Sequence, residues 1–241
     1  MSTPTVVLVH GAFADSTSWN GVVEHLRDAR VPAVANANPL RSLSGDAAYL
    51  RDVLASIEGP VLVVAHSYGG MVATQGAAGA PNVVGLVYVG AFAPDTGESA
   101  FELSAKFPGS TLGDAVAPTP LADGGQELTI RQDAFHQQFV ADVDESTAAL
   151  MAVAQRPVTL AALNEPLGTV DPAWRTLPSW FVHGAEDRNI PAEALRYMAE
   201  RAGSRSTTEV PGASHALAVS RPDAVAQVVL EAVRAVSGTA A

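Results

Sequence analysis

The fold is decided by the stretch Val61-Leu62-Val63-Val64-Ala65-His66-Ser67-Tyr68-Gly69-Gly70 and the segment Met71-Val72-Ala73-Thr74-Gln75-Gly76-Ala77 that follows it. The unbroken apolar, mostly β-branched run at its start predicts a strand buried on both faces. Small residues then interrupt the run around Ser67, and a helix-compatible segment begins. A strand that turns through a serine into a helix fits a nucleophile elbow. Such a turn brings its flanks close together, so the residues two before and two after the serine must be small. Ala65 and Gly69 meet that need, although Ala65 stands where glycine is usual. Ser67 would then lie at a helix N-terminus, its hydroxyl exposed where the macrodipole favours developing negative charge. A small-residue turn without chemistry has the same local signature, so the remainder of the chain has to decide.

Working outward, strand and helix patterns alternate on both sides of this turn. Residues 5–9 form an apolar strand ending at His10-Gly11-Ala12-Phe13, and helical spacing follows in Trp19, Val22, Val23 and Leu26. A second strand is predicted over 31–35. Ser44-Gly45-Asp46 then opens a helix that Gly59-Pro60 stops. Residues 83–89 form another apolar strand. Past Gly90-Ala91-Phe92-Ala93-Pro94 the rhythm fails until Ser179-Trp180-Phe181-Val182, a strand running into His183-Gly184-Ala185-Glu186-Asp187. Pro191 suits the first turn of the next helix. Residues 207–210 make a last strand before Pro211-Gly212-Ala213-Ser214-His215, and Pro222 opens a closing helix.

The expectation is an α/β fold: a mostly parallel sheet of about six strands with helices on both faces. Its core spans 1–94 and 178–241. Residues 95–177, richer in Pro, Gly and polar types, are too long for a plain loop and read as an inserted cap over the C-terminal edge of the sheet. Within it, helices are predicted near 133–140 and 146–154, with a short strand over 128–130. The tail Ser237-Gly238-Thr239-Ala240-Ala241 is expected to fray.

Composition narrows the function classes. The 241 residues, 48% hydrophobic and 16% charged, suffice for a sizeable core. A net charge of −11 argues against nucleic acid or an anionic membrane as partner, since both reward basic patches. With no cysteine there is neither a disulfide nor a catalytic thiol. The N-terminal residues lack the pattern of a signal peptide or a membrane span, which makes the cytoplasm the expected location. No HExxH motif, close His/Asp cluster or Gly-rich phosphate loop appears, so neither metal nor nucleotide cofactor is expected. Nothing in the pattern fixes an oligomeric state.

Four predicted strands thus end in residues capable of chemistry: His10-Gly11, Ser67, Asp187 and His215. In a parallel α/β sheet those ends gather at one edge, where ligands bind. The chain order serine, aspartate, histidine is that of an α/β-hydrolase triad. Through His10-Gly11-Ala12-Phe13, the elbow, Gly184-Ala185-Glu186-Asp187 and Gly212-Ala213-Ser214-His215, the chain resembles the α/β-hydrolase superfamily over nearly its whole length. Within it, the chain resembles the compact branch that holds plant methylesterases, hydroxynitrile lyases and related bacterial esterases, in which the first two strands of larger relatives are missing.

The resemblance implies esterase chemistry on a small-molecule ester. Ser67 would be the nucleophile, His215 its base, and Asp187 the group that orients and stabilises the imidazole. Backbone N–H groups of Ala12 and Tyr68 would form the oxyanion hole, with Gly11 permitting close approach and Phe13 lining the pocket. The Gly-x-x-Asp spacing of the family selects Asp187 over its neighbour Glu186. His10 is expected to orient the oxyanion loop, His66 to pack under the elbow, and His183 to hold a structural hydrogen bond. His25 is expected on the surface, while His136, in the cap, is within possible reach of the pocket but is assigned no role there. Phe135 and Trp174 are pocket candidates, drawn from a group of cap residues that also includes Phe101, Phe107, Phe139, Leu150 and Met151; these favour an apolar acyl or aryl group.

Single residues separate the relatives. Dehalogenases and epoxide hydrolases carry an aspartate where Ser67 stands. Hydroxynitrile lyases of the compact branch carry threonine in place of Gly11 and a lysine after the triad histidine, where this chain has Ala216. Cofactor-free dioxygenases, perhydrolases and a ligand-binding receptor with little turnover are the competing readings on the same fold.

Overall fold

The computed structural model describes residues 2–238. In chain order the strands are β1 (Thr5–Val9), β2 (Ala33–Asn36), β3 (Val61–His66), β4 (Val83–Val89), β5 (Val116–Pro120), β6 (Gln126–Ile130), β7 (Val158–Thr159), β8 (Ser179–Gly184) and β9 (Thr207–Val210). Six of them build one sheet in the order β2-β1-β3-β4-β8-β9, and every neighbouring pair is parallel. β3 lies near the middle and is buried at each of its six positions, which is why its sequence shows no polar alternation.

The period of two along these strands sorts their side chains between two layers. Val7, Val9, Val63, Ala65, Tyr88 and Phe181 face one apolar cluster, and Leu8, Leu62, Val64, Val87, Trp180 and Val182 face the other. The first layer is closed by α2 (Leu43–Ala55) and α3 (Gly69–Gly76), with Leu50, Leu54, Met71 and Val72 buried. The second is closed by α1 (Asn20–Asp28) through Val22 and Leu26 and by the C-terminal helix (Pro222–Ser237) through Val225, Val229 and Val233. Full burial of each such side chain stabilises by about 1.5–3 kcal/mol. Pro222 occupies the first turn of its helix, where its missing N–H costs nothing. The predicted second strand starts two residues late, because Pro32 and the residue before it lie outside the ladder.

Residues 95–177 carry α4 (Ala100–Ala105), α5 (Leu112–Ala115), the antiparallel sheet β5-β6-β7, α6 (Gln132–Phe139), α7 (Glu145–Ala154) and α8 (Leu160–Asn164). α6 and α7 correspond to the two predicted helices, and β6 contains the predicted short strand. β5, with Pro118 and Pro120, escaped the sequence reading; it pairs with β6 alone, and an edge strand tolerates proline. α4 is short and rests on a capping box: the Ser99 hydroxyl accepts from the Glu102 N–H while the Glu102 carboxylate accepts from the Ser99 N–H. Phe135, Phe139, Ala148 and Val158 of this segment join the cluster on the first sheet face. The insert is therefore packed onto the sheet through a continuous apolar layer.

Polar ties fix it further. The guanidinium of Arg41 binds the Glu127 carboxylate (2.8 Å) and the Pro157 carbonyl (2.8 Å), and the Thr159 hydroxyl donates to the Arg41 carbonyl (2.6 Å). Beyond the insert come α9 (Ala192–Arg201), α10 (Leu217–Ser220) and the C-terminal helix, α11. Thr239, Ala240 and Ala241 of the tail lie outside the described residues. Among the described residues no helix is long and apolar enough to cross a membrane.

Candidate active site

β3 ends at His66, and the chain reverses into α3 through Ser67, whose φ is +53°. A non-glycine residue in this left-handed region is strained and persists only where its surroundings over-determine it. Here the surroundings are crowded backbone. A Cβ on Gly69 would come within 2.5 Å of the Val9 carbonyl oxygen, and one on Gly70 would strike the Phe92 carbonyl. The Ser67 carbonyl accepts from the N–H groups of Gly70 (2.9 Å) and Phe92 (3.2 Å), which pins the turn. Ala65, in the position usually held by glycine, points into the first-face cluster and is almost wholly buried there.

The loops after β8 and β9 bring two further side chains to Ser67. The Ser67 hydroxyl lies 2.9 Å from His215 Nε2, and His215 Nδ1 lies 2.6 Å from Asp187 Oδ2. With Nδ1–H donating to the carboxylate, Nε2 is left to accept from the serine. The other oxygen of Asp187 accepts from the N–H groups of Asn189 (2.8 Å) and Ile190 (2.9 Å). The buried carboxylate thus has donors on both oxygens, which makes its burial tolerable. Gly184 permits this approach, since a Cβ there would collide with the Ala213 carbonyl.

His215 is held from behind as well. His66 Nε2 donates to the His215 carbonyl (3.0 Å), and the two rings are 4.7 Å apart. Burial, together with the neighbouring His215, pushes the His66 imidazole well below the usual histidine range, so it stays neutral. The Phe139 ring lies 5.1 Å from the His215 ring, and the Phe139 carbonyl accepts the Ala216 N–H (3.2 Å).

On the opposite side of Ser67 runs the loop after β1. A Cβ on Gly11 would come within 2.6 Å of Ser67 Cβ, so only glycine fits there. His10 Nδ1 donates to the Gly11 carbonyl (2.9 Å) and its Nε2 accepts the Asn38 N–H (3.0 Å), while the Asn38 amide donates to the His10 carbonyl (3.0 Å). Burial lowers the His10 pKa, consistent with a neutral, accepting ring. The Phe13 N–H is taken by the Arg156 carbonyl (3.1 Å). The N–H groups of Ala12 and Tyr68 have no acceptor among the described residues. The Tyr68 hydroxyl donates to buried Asp46 (3.0 Å), which anchors the ring.

These groups border a cavity of about 150 Å³. Its core wall includes Ala12, Phe13, Ser67, Tyr68 and His215; its insert wall includes Phe101, Leu112, Val116, Leu128, Leu160 and Leu163. Two expectations fail here. Phe135 does not line the cavity: it is fully buried, its ring tilted against that of Phe139 at 5.2 Å. Trp174 does not line it either, because its indole N–H donates to the Pro94 carbonyl (2.7 Å) and its ring lies against Arg175 and Arg201. Both are large aromatics of the insert, and both serve its packing. Leu112 and Leu128, which do line the cavity, carried no signal distinguishing them from any other leucine.

The remaining histidines fall elsewhere. His183 is buried on β8 with Nδ1 3.3 Å from the Gly184 carbonyl, His25 is exposed, and His136 bonds the Val143 carbonyl (2.8 Å). Glu186 is exposed. Among the described residues no group of three or more His, Asp or Glu side chains is arranged to hold a metal ion.

The parallel sheet with a strained serine at the central strand's C-terminal end, met by histidine and aspartate from later loops, marks a hydrolase of the α/β class. The chain belongs to the alpha/beta hydrolase family, whose model matches residues 6–228. It is 40% identical over 113 residues to a carbendazim-hydrolysing esterase of Nocardioides sp. (strain SG-4G), a match covering 42% of this chain and 47% of the relative. The chain spans between 47% and 65% of the length of the curated relatives it matches. Among solved structures, polyneuridine aldehyde esterase superposes with a TM-score of 0.81 at 19% identity, covering 96% of this chain and 99% of that one. A pyrethroid hydrolase superposes with a TM-score of 0.78 at 20% identity, covering 98% and 100%. At such identities the superpositions speak for the fold.

Proposed function

We propose that the protein is a serine esterase that cleaves carboxylic esters with small apolar or aryl groups through an acyl-enzyme. The observation that carries this reading is the hydrogen-bonded series Asp187–His215–Ser67, opening into an apolar cavity beside two backbone N–H groups without acceptors.

The ester carbonyl carbon is attacked by Ser67 Oγ as His215 Nε2 takes the hydroxyl proton. Asp187 keeps Nδ1 as the donor and stabilises the imidazolium that forms. Negative charge on the carbonyl oxygen is met by the N–H groups of Ala12 and Tyr68, already in place before the reaction; in related chemistry one such donor is worth roughly 3–4 kcal/mol. Collapse breaks the bond to the alcohol oxygen, which leaves with the proton from His215. A water deprotonated by His215 then attacks the acyl carbon and frees Ser67. The relatives' named activities on esters support the same class of reaction.

A fluorophosphonate probe should label Ser67, identified by peptide mass, and short p-nitrophenyl esters should be turned over. If the protein neither labels nor hydrolyses such esters, while Ser67→Ala binds ligands as the native chain does, it is a receptor on a hydrolase fold.

A further inference from the structure

The loop that carries His215, between β9 and α10, is gripped from two sides. The core holds it through the Glu186 N–H, which donates to the Ala213 carbonyl (3.1 Å), and through His66 on the His215 carbonyl. The peptide N–H groups on either side of His215 go instead to the insert. The Ser214 N–H donates to Asp142 Oδ1 (3.2 Å), and the Ala216 N–H donates to the Phe139 carbonyl (3.2 Å), which the Ser214 hydroxyl also approaches (3.4 Å).

α6 ends at Phe139, and Asp142 follows in the turn that leads to α7. The end of one insert helix therefore delivers a ring, a carbonyl and a carboxylate to the same loop. The Asp142 side chain is only 12% exposed. Its Oδ2 makes no hydrogen bond among the described residues but lies 3.3 Å from Arg221 Nη1, so the cation compensates its charge. Arg221, just ahead of α11, is itself tied down by donating to the Ser220 carbonyl (3.1 Å). Ser214 is buried, and without the carboxylate its N–H would have no acceptor, so the loop would shift to find one. Both ring nitrogens of His215 are already committed to Asp187 and Ser67, so any effect of Asp142 on the imidazole runs through the main chain.

We infer that Asp142 is a positioning residue for His215: its carboxylate fixes the Ser214 N–H and thereby holds the imidazole between Asp187 and Ser67. The insert then sets the geometry of the reaction as well as the shape of the cavity. This rests on the esterase reading and deepens it. A misplacement of about 1 Å at a reacting group can cost about 10²-fold in rate.

Asp142→Ala should lower kcat for p-nitrophenyl butyrate about 10- to 100-fold while KM stays within about threefold, since Asp142 does not line the cavity. Asp142→Asn keeps an oxygen for the Ser214 N–H, and Arg221, with its side chain 37% exposed, can turn to water; kcat should stay within about fivefold of native. A second measurement needs no turnover. The 2.6 Å bond between His215 Nδ1 and Asp187 gives its proton a far-downfield NMR resonance, which should move upfield or broaden away in Asp142→Ala and persist in Asp142→Asn. Should Asp142→Ala not fold, Arg221→Met loosens the carboxylate without removing it, and the same changes are expected in smaller degree, about threefold in kcat. An unchanged kcat or an unchanged resonance in Asp142→Ala, or in Arg221→Met where it takes that place, overturns the proposal. So does an Asp142→Asn protein as impaired as Asp142→Ala. A native protein that turns over no ester, but whose resonance is lost in Asp142→Ala and kept in Asp142→Asn, overturns the esterase reading and supports the positioning of His215 by Asp142.

Discussion

The two walls of the cavity are built on different principles. On the core wall every group near Ser67 has its position set by several independent restraints: a positive φ, glycines that admit no Cβ, and hydrogen bonds on each side of His215. The insert wall offers aliphatic side chains from α5, β5, β6 and α8, held by shape and burial with no directional contact to the serine. On the proposed reading, reaction type belongs to the first wall and the choice of substrate mainly to the second.

Substitutions can break or sharpen this contrast. On the core wall, Ser67→Ala should lower ester kcat by about 10⁶-fold with unchanged melting temperature, measured with p-nitrophenyl butyrate. Asp187→Asn keeps the shape but presents the wrong tautomer to His215, and a loss of about 10⁴-fold in kcat is expected. If either variant lost no more than a cavity-wall variant, the division between the walls would collapse. In the apolar layer of the insert, Phe135→Ala should cost about 3–5 kcal/mol in urea unfolding while leaving the ranking of ester substrates intact. Leu128→Ala, by contrast, should shift the acyl-length preference about tenfold in relative kcat/KM toward longer chains, with a smaller loss of stability because Leu128 is only half-buried.

The smallest effect concerns pH. His10, His66 and His183 all have their pKa lowered by burial. They are neutral when folded but take up protons when unfolded below about pH 6.5. Their contribution to stability is therefore complete above that value and is lost progressively as pH falls below it. Melting temperature should be flat from pH 8 to 7 and decline by a few degrees towards pH 5.5, and His66→Gln should flatten the slope.

The same contrast explains what could be read from the sequence. The core wall was legible because its chemistry needs particular residue types at strand ends. Ser67, Asp187 and His215 sit where a parallel sheet gathers its loops, and Gly11 and Gly69 are demanded by contacts that any side chain would violate. The strands were legible for the same physical reason: burial on both faces leaves continuous apolar runs such as that of β3. The insert was not, because packing asks only for apolar volume. Phe135, Trp174, Leu112 and Leu128 look alike in a sequence, and which of them meets the cavity depends on how α5, α6 and β6 settle on the sheet. Asn38 was missed because nothing marks an asparagine whose amide is fixed by residues far away in the chain.

The shared apolar layer beneath the insert also governs motion. Because Phe135, Phe139 and Val158 pack in the same layer as the side chains of β1, β3 and β4, residues 95–177 cannot swing away as a rigid flap without opening that face of the sheet to water. Traffic to Ser67 must then use movements smaller than domain opening. The short helix α4 lies where the cavity meets solvent, since its Phe101 lines the cavity and is still 57% exposed.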